Sequence, residues 1–503
     1  MLEKLHQTLA LLILSLALTA CTKQNEAPTI AKTAIENATV IDAINGIRLN
    51  QTVVFEGDAI LSVGSSGLPV EVERRIDGTG KFVIPGLWDM HVHLTASDLF
   101  DDSMLPLLLS YGVTSVRDTG GLLEDLVPRI EESQKNKYPV QRIFFSGPLL
   151  DGKFKVYDGS SLFRPNTGTT NTIPEQAEAT VAELKKNGAS FIKIYEMVDP
   201  EVFEALVNAA EKEGLPIAAH VPLATRASEV GGKLDSMEHL RNVLIDCTSN
   251  AEEMLQMRQE MLTNKEALLG GDLRAAIHRE QRIMALHNLD DAQCDRTIAA
   301  LLNTIQVPTL SLGNPNGDIG TRPDWLKAVE RLPEPLRSVW RDLGTMKRKN
   351  TDSYRSEFAS AQKELVGRMH RAGVVIGAGT DIPVPPSVPG HGLHIELEAL
   401  VSAGLSPLEA IGAATVAPAK FFSLEHEMGS VDAGKKADML ILSENPLDDI
   451  HNTQSIDSIV IRGLHLESSD IEELANQSRE GTFINNALGL VYKAASALGF
   501  SLF

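Results

Sequence analysis

Short apolar runs alternate with longer amphipathic stretches from residue 81 onward. Such runs, bounded by turn residues, are typical of buried strands, and the stretches between them repeat their apolar residues with the helical period. The predicted strands cover residues 82–93, 113–118, 142–146, 191–195, 217–220, 236–239, 306–312 and 374–378. Eight strands joined by helical crossovers predict a (β/α)8 TIM barrel of the α/β class, with its active site at the carboxyl ends of the strands.

Shorter alternating strands, separated by glycine-rich turns, lie before and after these repeats. They occupy residues 22–80, where a short polar tether comes first, and residues 427–465. Because neither segment continues the alternation of strands and helices, we predict that the two combine into a small β-sandwich domain. The barrel then covers residues 81–426.

Two charged, mostly helical segments interrupt the barrel at residues 248–300 and 324–370. The first insert separates the sixth and seventh strands, where it is either a cap over the active site or a solvated decoration. Cys247 and Cys294 accompany this insert, and the sequence leaves their redox state open. Residues 466–503 are predicted to form a helical tail.

Ser406, Pro407 and Glu409 mark the start of a helix after the eighth strand. Serine is a preferred N-cap, proline is favoured at the first helical position, and a glutamate at the third completes a capping box. We therefore predict a helix that begins at Pro407.

The composition limits the partners of this chain. With 503 residues, 43% of them hydrophobic and 22% charged, the chain can bury a large core and accommodate a barrel plus a smaller unit. The formal net charge is −21 and no basic patch stands out, which argues against nucleic acid as a partner. The oligomeric state stays open, and a homo-oligomer is compatible with the sequence.

Residues 1–21 are predicted to be a signal peptide rather than part of the fold. Lys4 precedes an apolar run, residues 9–18, that is too short to span a membrane. The small residues before Cys21 resemble a bacterial lipoprotein box. This resemblance implies that Cys21 is lipidated and, because Thr22 rather than an aspartate follows, that the protein is anchored in the outer membrane facing the periplasm. An ordinary signal peptide with an incidental cysteine is the alternative.

His91 and His93 end the first predicted barrel strand. Successive side chains of a strand point to opposite faces, so these two imidazoles lie on one face and can bind the same metal ion. An isolated pair of this kind is more often one surface histidine and one packed histidine. Here the pair follows an apolar strand, and other strand ends supply matching ligands.

Further metal-binding side chains end later strands. His220, His239 and Asp381 follow the fifth, sixth and eighth predicted strands. Each has a simpler interpretation alone, as a core histidine or, for Asp381, as a helix N-cap. Lys193 lies inside an apolar strand, where burial lowers the pKa of its amine and favours the neutral form. A neutral amine is the form that reacts with CO2 to give a carbamate.

Together these motifs resemble the amidohydrolase superfamily over nearly all of residues 30–465. They are Pro85-Gly86-Leu87-x-Asp89-x-His91-x-His93, Lys193, His220, His239, Gly379-Thr380-Asp381 and Gly429-x-Val431-x-x-Gly434-x-x-Ala437-Asp438. Within the superfamily the chain is similar to the imidazolonepropionase-like branch, which includes Xaa-Pro and other metal-dependent dipeptidases. Residues 112–118 and 391–401 carry this closer likeness.

The resemblance implies a binuclear metal centre. His91, His93 and Asp381 would bind the first ion, His220 and His239 the second, and N6-carboxylated Lys193 would bridge both. Imidazole and carboxylate ligands suit zinc, so two divalent ions, Zn2+ in the first place, are the expected cofactors. A hydroxide bridging the metals would attack the amide, and Asp381 would be the catalytic proton shuttle.

Candidate substrate contacts lie near the same strand ends. Tyr195 shares a face with Lys193 by the two-residue period of a strand, Arg117 ends the second strand, and His391 and His394 follow the eighth. Each could bind a carboxylate or an amide oxygen. The alternatives are an ion pair of Arg117 with Asp118 or Glu124 and a loop-anchoring hydrogen bond of His391.

The function that these features favour is hydrolysis of C–N amide bonds, most of all in dipeptides (Xaa-Pro or other Xaa-Xaa) or N-acyl amino acids. One alternative is a hydrolase of cyclic amides or lactones on the same site. Another is a non-catalytic envelope lipoprotein. The complete ligand set disfavours it, because a protein that had lost its activity would be expected to have lost at least one of the metal ligands by substitution. The expected partners are a small-molecule substrate and, through the lipid anchor, a membrane.

Overall fold

The computed structural model describes residues 32–65, 71–97, 100, 103–135, 137–160, 164–263, 270–313, 318–345 and 353–480. The predicted signal peptide with Cys21 lies outside the described residues, and so does the predicted tail beyond residue 480.

Parallel strands form the barrel, and their carboxyl ends meet on one side. The regular strands are Leu87–Val92, Val113–Asp118, Arg142–Phe145, Ile192–Ile194, Ile217–Ala219, Ser236–Glu238 and Ile305–Val307. Two further strands, Leu149–Asp151 and Gly168–Thr170, extend the sheet beside Ile192–Ile194. Neighbouring strands pair in parallel register. Except in Arg142–Phe145, the side chains of the seven main strands are buried, as the apolar runs predict.

The eighth barrel position is an irregular segment rather than the regular strand predicted at 374–378. Ile376 bridges the seventh strand and Ile382 bridges the first, both in parallel, so this segment closes the barrel. Its backbone runs so close to the first strand that a Cβ atom on Gly379 would lie 2.8 Å from the Cβ of His91. Glycine is therefore required at this point of the eighth segment.

The small β domain predicted from the two terminal segments is one mixed sheet of eight strands. They are Thr33–Asp42, Gly46–Glu56, Ala59–Ser65, Arg74–Asp77, Phe82–Pro85, Met439–Leu442, Ile456–Ile461 and Leu464–Leu466. Met439–Leu442 pairs antiparallel with Phe82–Pro85, which joins the C-terminal strands to the N-terminal ones. Because Phe82–Pro85 leads into the first barrel strand, this sheet fixes where the strand that carries His91 enters the barrel.

Helices pack around the barrel and build its inserts. The described α-helices are Met104–Ser110, Leu123–Ser133, Ala177–Lys186, Pro200–Glu213, Ala227–Val230, Arg241–Asp246, Ala251–Thr263, Gly270–His287, Asp291–Ala300, Pro323–Val329, Glu334–Thr345, Ser353–Arg371, His391–Ser402, Pro407–Ala413, Val416–Phe421 and Ser468–Glu480. Three of them lie in the insert predicted at 248–300, where Cys247 and Cys294 form a disulfide. Ser468–Glu480 belongs to the predicted tail and packs against Met104–Ser110. None of the helices described for this chain is long and apolar enough to cross a membrane.

The predicted capping box at Ser406 is confirmed. The Ser406 hydroxyl accepts a hydrogen bond from the backbone N–H of Glu409 at 3.3 Å, and the Glu409 carboxylate accepts one from the backbone N–H of Ser406 at 2.7 Å. Helix Pro407–Ala413 begins at the next residue.

Candidate metal centre

Two overlapping groups of metal-binding side chains converge at the carboxyl ends of the barrel strands. Within each group the ligand atoms lie within 4.8 Å of one another. The first group is His91, His93 and Asp381, and the second is His91, His220 and His239. Residues far apart in sequence meet here because parallel strands end at the same edge of the barrel.

Each histidine has its Nδ1 atom next to a neighbouring oxygen. The partners are Glu238 Oε2 for His91, at 2.7 Å, the Gly120 carbonyl for His93, at 3.2 Å, Glu196 Oε1 for His220, at 2.7 Å, and Thr309 Oγ1 for His239, at 2.6 Å. Ionised carboxylates and carbonyls cannot donate, so Nδ1 is the protonated nitrogen in His91, His93 and His220. This leaves the Nε2 lone pair for a metal ion, as is usual in metal-ligating histidines.

Burial keeps most of these imidazoles neutral. It lowers the pKa of His91 to about 4 and holds the pKa of His220 and His239 well below the usual value. For His93, burial would lower the pKa, but the hydrogen bond with Asp381 and the charge of that carboxylate raise it. A metal ion requires neutral imidazoles, so three of the four rings are already in the form that binds metal.

Lys193 is buried, and its charge acts on ligands of both groups. Its side chain is 0% exposed, and its Nζ has no hydrogen-bond partner among the described residues. The nearby Glu238 Oε1 lies 3.9 Å away, beyond hydrogen-bonding distance. Burial lowers the pKa of Lys193 to about 8, and the positive charge of Arg117 acts in the same direction. The neutral amine is therefore much more available at neutral pH than in a surface lysine.

Asp381 faces the histidines from a strained backbone. Its carboxylate lies 3.2 Å from Nε2 of His93 and 3.7 Å from Nε2 of His239. Its φ of 61° is in the left-handed region, where residues other than glycine are strained and which functional residues often occupy. Burial would raise the pKa of Asp381, but the hydrogen bond with His93, whose own pKa is raised, holds it well below its usual value. The carboxylate is thus ionised at neutral pH.

Asp89 ties the first strand to the eighth segment. Its buried carboxylate accepts hydrogen bonds from the backbone N–H of His91 at 3.1 Å and of Thr380 at 3.0 Å, and from the Thr380 hydroxyl at 2.6 Å. These bonds fix His91 relative to Asp381. The motif contained Asp89 without assigning it a role, although its inward position two residues before His91 was a usable signal.

Glu196 is a second supporting residue that sequence reasoning missed. It follows Tyr195 and is buried, with Oε1 accepting from His220 and from Arg274 Nη2 at 2.8 Å. Its Oε2 lies 2.6 Å from Nε2 of His278. Arg274 and His278 belong to the insert helix Gly270–His287, so the insert reaches the metal centre through one carboxylate.

Arg117 is not placed as a substrate contact, which corrects the sequence-based assignment. It is 0% exposed and donates to the Met90 carbonyl at 2.6 Å, to Ser236 Oγ at 2.8 Å and to Glu238 Oε1 at 2.7 Å. These bonds engage its guanidinium inside the barrel. Its ion-pair partner, Glu238, also holds His91, so Arg117 supports the centre from within.

Tyr195 lies directly beside the second group. Its ring packs on the His220 ring with centroids 4.3 Å apart, and the guanidinium of Arg274 lies 5.7 Å from the Tyr195 ring centroid. This placement is compatible with a substrate contact, which stays a prediction.

His391 and His394 form anchoring bonds instead of joining the two ligand groups. Nε2 of His391 lies 3.2 Å from Oδ2 of Asp324, and Nδ1 of His394 lies 2.8 Å from the Thr453 hydroxyl. Both imidazoles are 1% exposed. The placement agrees with the anchoring alternative for His391.

The donor set fits divalent metal ions. Imidazole nitrogens and a carboxylate are ligands that zinc prefers. The Nε2 atom of His91 and the Nζ atom of Lys193 are buried without hydrogen-bond partners among the described residues, and such atoms are costly unless another group binds them. The residues present therefore suit a metal centre.

Curated relatives resemble this chain to different extents. A 5-methylthioadenosine/S-adenosylhomocysteine deaminase of Thermoanaerobacter pseudethanolicus is 22% identical over 408 residues, which are 78% of this chain and 80% of that protein. An adenine deaminase of Edwardsiella ictaluri is 32% identical over 82 residues, 16% of this chain, and the match spans only 14% of that enzyme.

A solved structure with the same fold is that of a Xaa-Pro dipeptidase with methionine bound in its active site. It is 21% identical, has a TM-score of 0.61, and is matched over 87% of this chain and 100% of that one. The sequence model of the amidohydrolase family matches residues 82–243 and 341–476, which are more than half of the chain. Both matched segments carry the metal-binding side chains described above, and this chain therefore belongs to the amidohydrolase family.

Proposed function

We propose that this chain is a binuclear metal-dependent hydrolase that cleaves the amide bond of dipeptides, Xaa-Pro or other Xaa-Xaa, or of N-acyl amino acids. The family match supports the broader activity, metal-dependent hydrolysis of C–N bonds. The observation that carries the narrower proposal is Lys193, a buried amine without a hydrogen-bond partner among the described residues, whose charge acts on ligands of both groups.

The metal-binding side chains suit two metal ions that share one bridging ligand. His91, His93 and Asp381 would hold one ion, and His220 and His239 the other. A carbamate on Lys193 would present two oxygens, one for each ion, and would replace a buried cation by a ligand of opposite charge. Bound there, two divalent ions would polarise the scissile carbonyl and lower the pKa of a water molecule.

Asp381 is the proposed proton carrier. Its side chain is 14% exposed, so it is more open than the buried carboxylate of Glu238. Its lowered pKa keeps the carboxylate ionised at neutral pH, so that an oxygen can accept the proton of the attacking water. The same oxygen then passes this proton to the leaving nitrogen, which departs as a neutral amine.

The similar proteins guide the choice of substrates. The fold shared with a Xaa-Pro dipeptidase supports dipeptides as the first class to test. The similarity to an adenine deaminase and to a 5-methylthioadenosine/S-adenosylhomocysteine deaminase is the reason to add adenine to the same panel.

A substrate panel on the purified zinc-loaded protein tests the proposal. It contains Xaa-Pro and other Xaa-Xaa dipeptides, N-acyl amino acids, cyclic amides, lactones and adenine. We expect turnover of dipeptides or N-acyl amino acids that chelation abolishes and added zinc restores. Turnover of cyclic amides or lactones alone would favour that alternative. No turnover with both ions bound would contradict the proposal and favour a non-catalytic envelope protein.

Replacing Asp381 tests the proton transfer separately from metal binding. Asp381→Asn keeps the size and one oxygen but removes the basic site, so kcat should fall by about 10²–10⁴-fold. Metal content should be largely retained, because the histidines and Lys193 remain. The exposed Asp448 offers a matched control, Asp448→Asn. Both ions bound with more than about a tenth of the wild-type kcat, a barrier change below about 1.4 kcal/mol, would assign the proton to another group.

We also propose that the protein is lipid-anchored through Cys21 in the outer membrane, facing the periplasm. The support is the sequence alone: an apolar run of signal-peptide length, the small residues before Cys21 and the polar tether after it.

A further inference from the structure

A cluster of arginines lines the side of the metal centre that faces the insert. Arg241 begins the short helix that follows His239, and Arg274 and Arg282 lie on the insert helix Gly270–His287. These three guanidiniums influence one another electrostatically, although they come from two separate elements. Arg274 supports His220 through Glu196, whereas Arg241 and Arg282 have no role in the metal site as described so far.

The carboxylate at this cluster, Glu196, already has three hydrogen-bonding partners. Its Oε1 accepts from His220 at 2.7 Å and from Arg274 at 2.8 Å, and its Oε2 is 2.6 Å from His278. Arg241 approaches Oε1 only to 3.9 Å, too far for a hydrogen bond. The three guanidiniums therefore carry more positive charge than Glu196 balances.

Part of this excess charge is buried without hydrogen bonds. The Nε atoms of Arg274 and Arg282 are both buried and have no partner among the described residues. Burial, followed by repulsion from Arg241 and Arg274, lowers the pKa of Arg282 to about 10. Buried unpaired donors and like charges cost free energy, and a bound anion would offset that cost.

The cluster is next to the proposed reaction site and is partly exposed. The Arg274 guanidinium lies 5.7 Å from the Tyr195 ring centroid, and that ring packs on His220. The side chains of Arg241 and Arg274 are 25% and 16% exposed, unlike the enclosed Arg117. An anion bound between them would lie beside the second group of metal ligands.

We propose that Arg241 and Arg274 bind the free α-carboxylate of the substrate's C-terminal residue, so that the enzyme selects N-acyl amino acids and dipeptides with an unblocked C-terminus. This inference rests on the proposed function and narrows its substrate class. A guanidinium binds a carboxylate through two parallel N–H groups, which fixes both position and orientation. In an α-amino acid one carbon separates the carboxylate from the scissile nitrogen, so a carboxylate held beside His220 directs the amide towards the metal ligands.

Binding of matched acids and amides tests the proposal without requiring turnover. Calorimetry on the zinc-loaded full-length protein compares N-acetyl-L-proline with N-acetyl-L-prolinamide, and N-acetyl-L-leucine with its amide. We expect each acid to bind about tenfold more tightly than its amide, as for hydrogen bonds to charged groups. Arg241→Met should reduce this preference to near unity. Arg279 is exposed on the same insert helix, so Arg279→Met should keep the wild-type preference.

Arg274 needs a second readout, because it also holds Glu196 and through it His220. Arg274→Met with normal metal content should lose the preference for the acid, and Arg274→Lys should keep part of it. If Arg274→Met loses metal, the test rests on the binding preference of Arg241→Met. Equal binding of acids and amides by the wild type, no binding of either at millimolar concentration, or an unchanged preference in Arg241→Met would overturn the proposal.

Failure of the proposed function has a different signature. Suppose that no dipeptide or N-acyl amino acid is hydrolysed, yet acids bind preferentially and Arg241→Met removes that preference. This result would support the carboxylate site and contradict the proposed reaction. If dipeptides and their C-terminal amides are hydrolysed with equal kcat/KM and bound equally, the result would support the proposed reaction and contradict the carboxylate site.

Discussion

At the scale of single residues, Lys193 departs most from the usual behaviour of its side chain. Lysine is rarely fully buried, yet Lys193 is 0% exposed and its Nζ has no hydrogen-bond partner among the described residues, with Glu238 3.9 Å away as a long ion pair. Its pKa is lowered to about 8, mainly by burial. These properties suit an amine that reacts with CO2 and bridges two ions.

Lys193→Ala should lower the bound metal from two ions towards one and largely abolish hydrolysis, because the proposed bridge is lost. Metal analysis and kcat on the best substrate check this, and short carboxylic acids should restore part of the activity by replacing the carbamate. Lys186 ends the preceding helix and is exposed, so Lys186→Ala is the matched control. Two tightly held ions and near-normal kcat in Lys193→Ala would exclude Lys193 from the centre.

At the scale of elements, the ends of strands and helices position the site. His91, Lys193, His220 and His239 lie at or just after the ends of their strands, and neighbouring side chains orient the histidine rings. Helix starts are under similar local control, as the capping box of Pro407–Ala413 shows.

Ser406→Ala should lower the free energy of unfolding by about 1 kcal/mol, the usual cost of losing an N-cap. The Ser406 hydroxyl accepts from the Glu409 backbone N–H, and alanine leaves that group without its partner. Urea unfolding measures the change, with Ser406→Asp as the variant that keeps an acceptor. Equal stability of the alanine and wild-type proteins would show that solvent satisfies this helix end.

At the scale of the whole molecule, Glu396 links helix His391–Ser402 to the segment that follows the seventh strand, and its titration makes stability depend on pH. Its buried carboxyl accepts from the backbone N–H groups of Leu310 at 3.0 Å and Ser311 at 2.7 Å. Burial raises the pKa of Glu396 to about 7 from its ordinary value of 4.5. Between these values the folded state keeps a proton that the unfolded state releases.

The free energy of unfolding should therefore fall as pH rises from about 4.5 to about 7, by about 1.4 kcal/mol for each pKa unit that separates the two states. Glu396→Gln cannot titrate and should lose this part of the pH dependence. Urea unfolding of both proteins at about pH 5 and about pH 7.5 gives the comparison. Parallel pH profiles for the two proteins would show that Glu396 titrates normally in the folded state.

Membrane attachment is also a property of the whole molecule. If Cys21 is lipidated, Cys21→Ala should release the protein from the membrane fraction or block its maturation, because one residue carries the anchor. Fractionation and mass analysis of the mature N-terminus check this. A wild-type protein with an unmodified N-terminus and an unchanged membrane fraction in the variant would contradict the lipoprotein proposal.

The sequence by itself determined the strand–helix alternation and the positions of His91, His93, Lys193, His220 and Asp381. These features are readable because strand and helix periods are local, and because polar residues that follow apolar strands contrast with their surroundings. The resemblance to the amidohydrolase superfamily then assigned these ligands to two metal ions. The capping box at Ser406 was equally readable, since three neighbouring residues define it.

Only the tertiary structure decided which side chains support the ligands. Glu196, Glu238 and Thr309 orient histidines from other strands, and no local period indicates such pairs. Arg117 looked like a substrate contact because it ends a strand, but its inward direction engages it with Glu238. The unmatched charge at Arg241 arises only when an insert helix meets a strand end, because electrostatic balance depends on distance in space rather than along the chain.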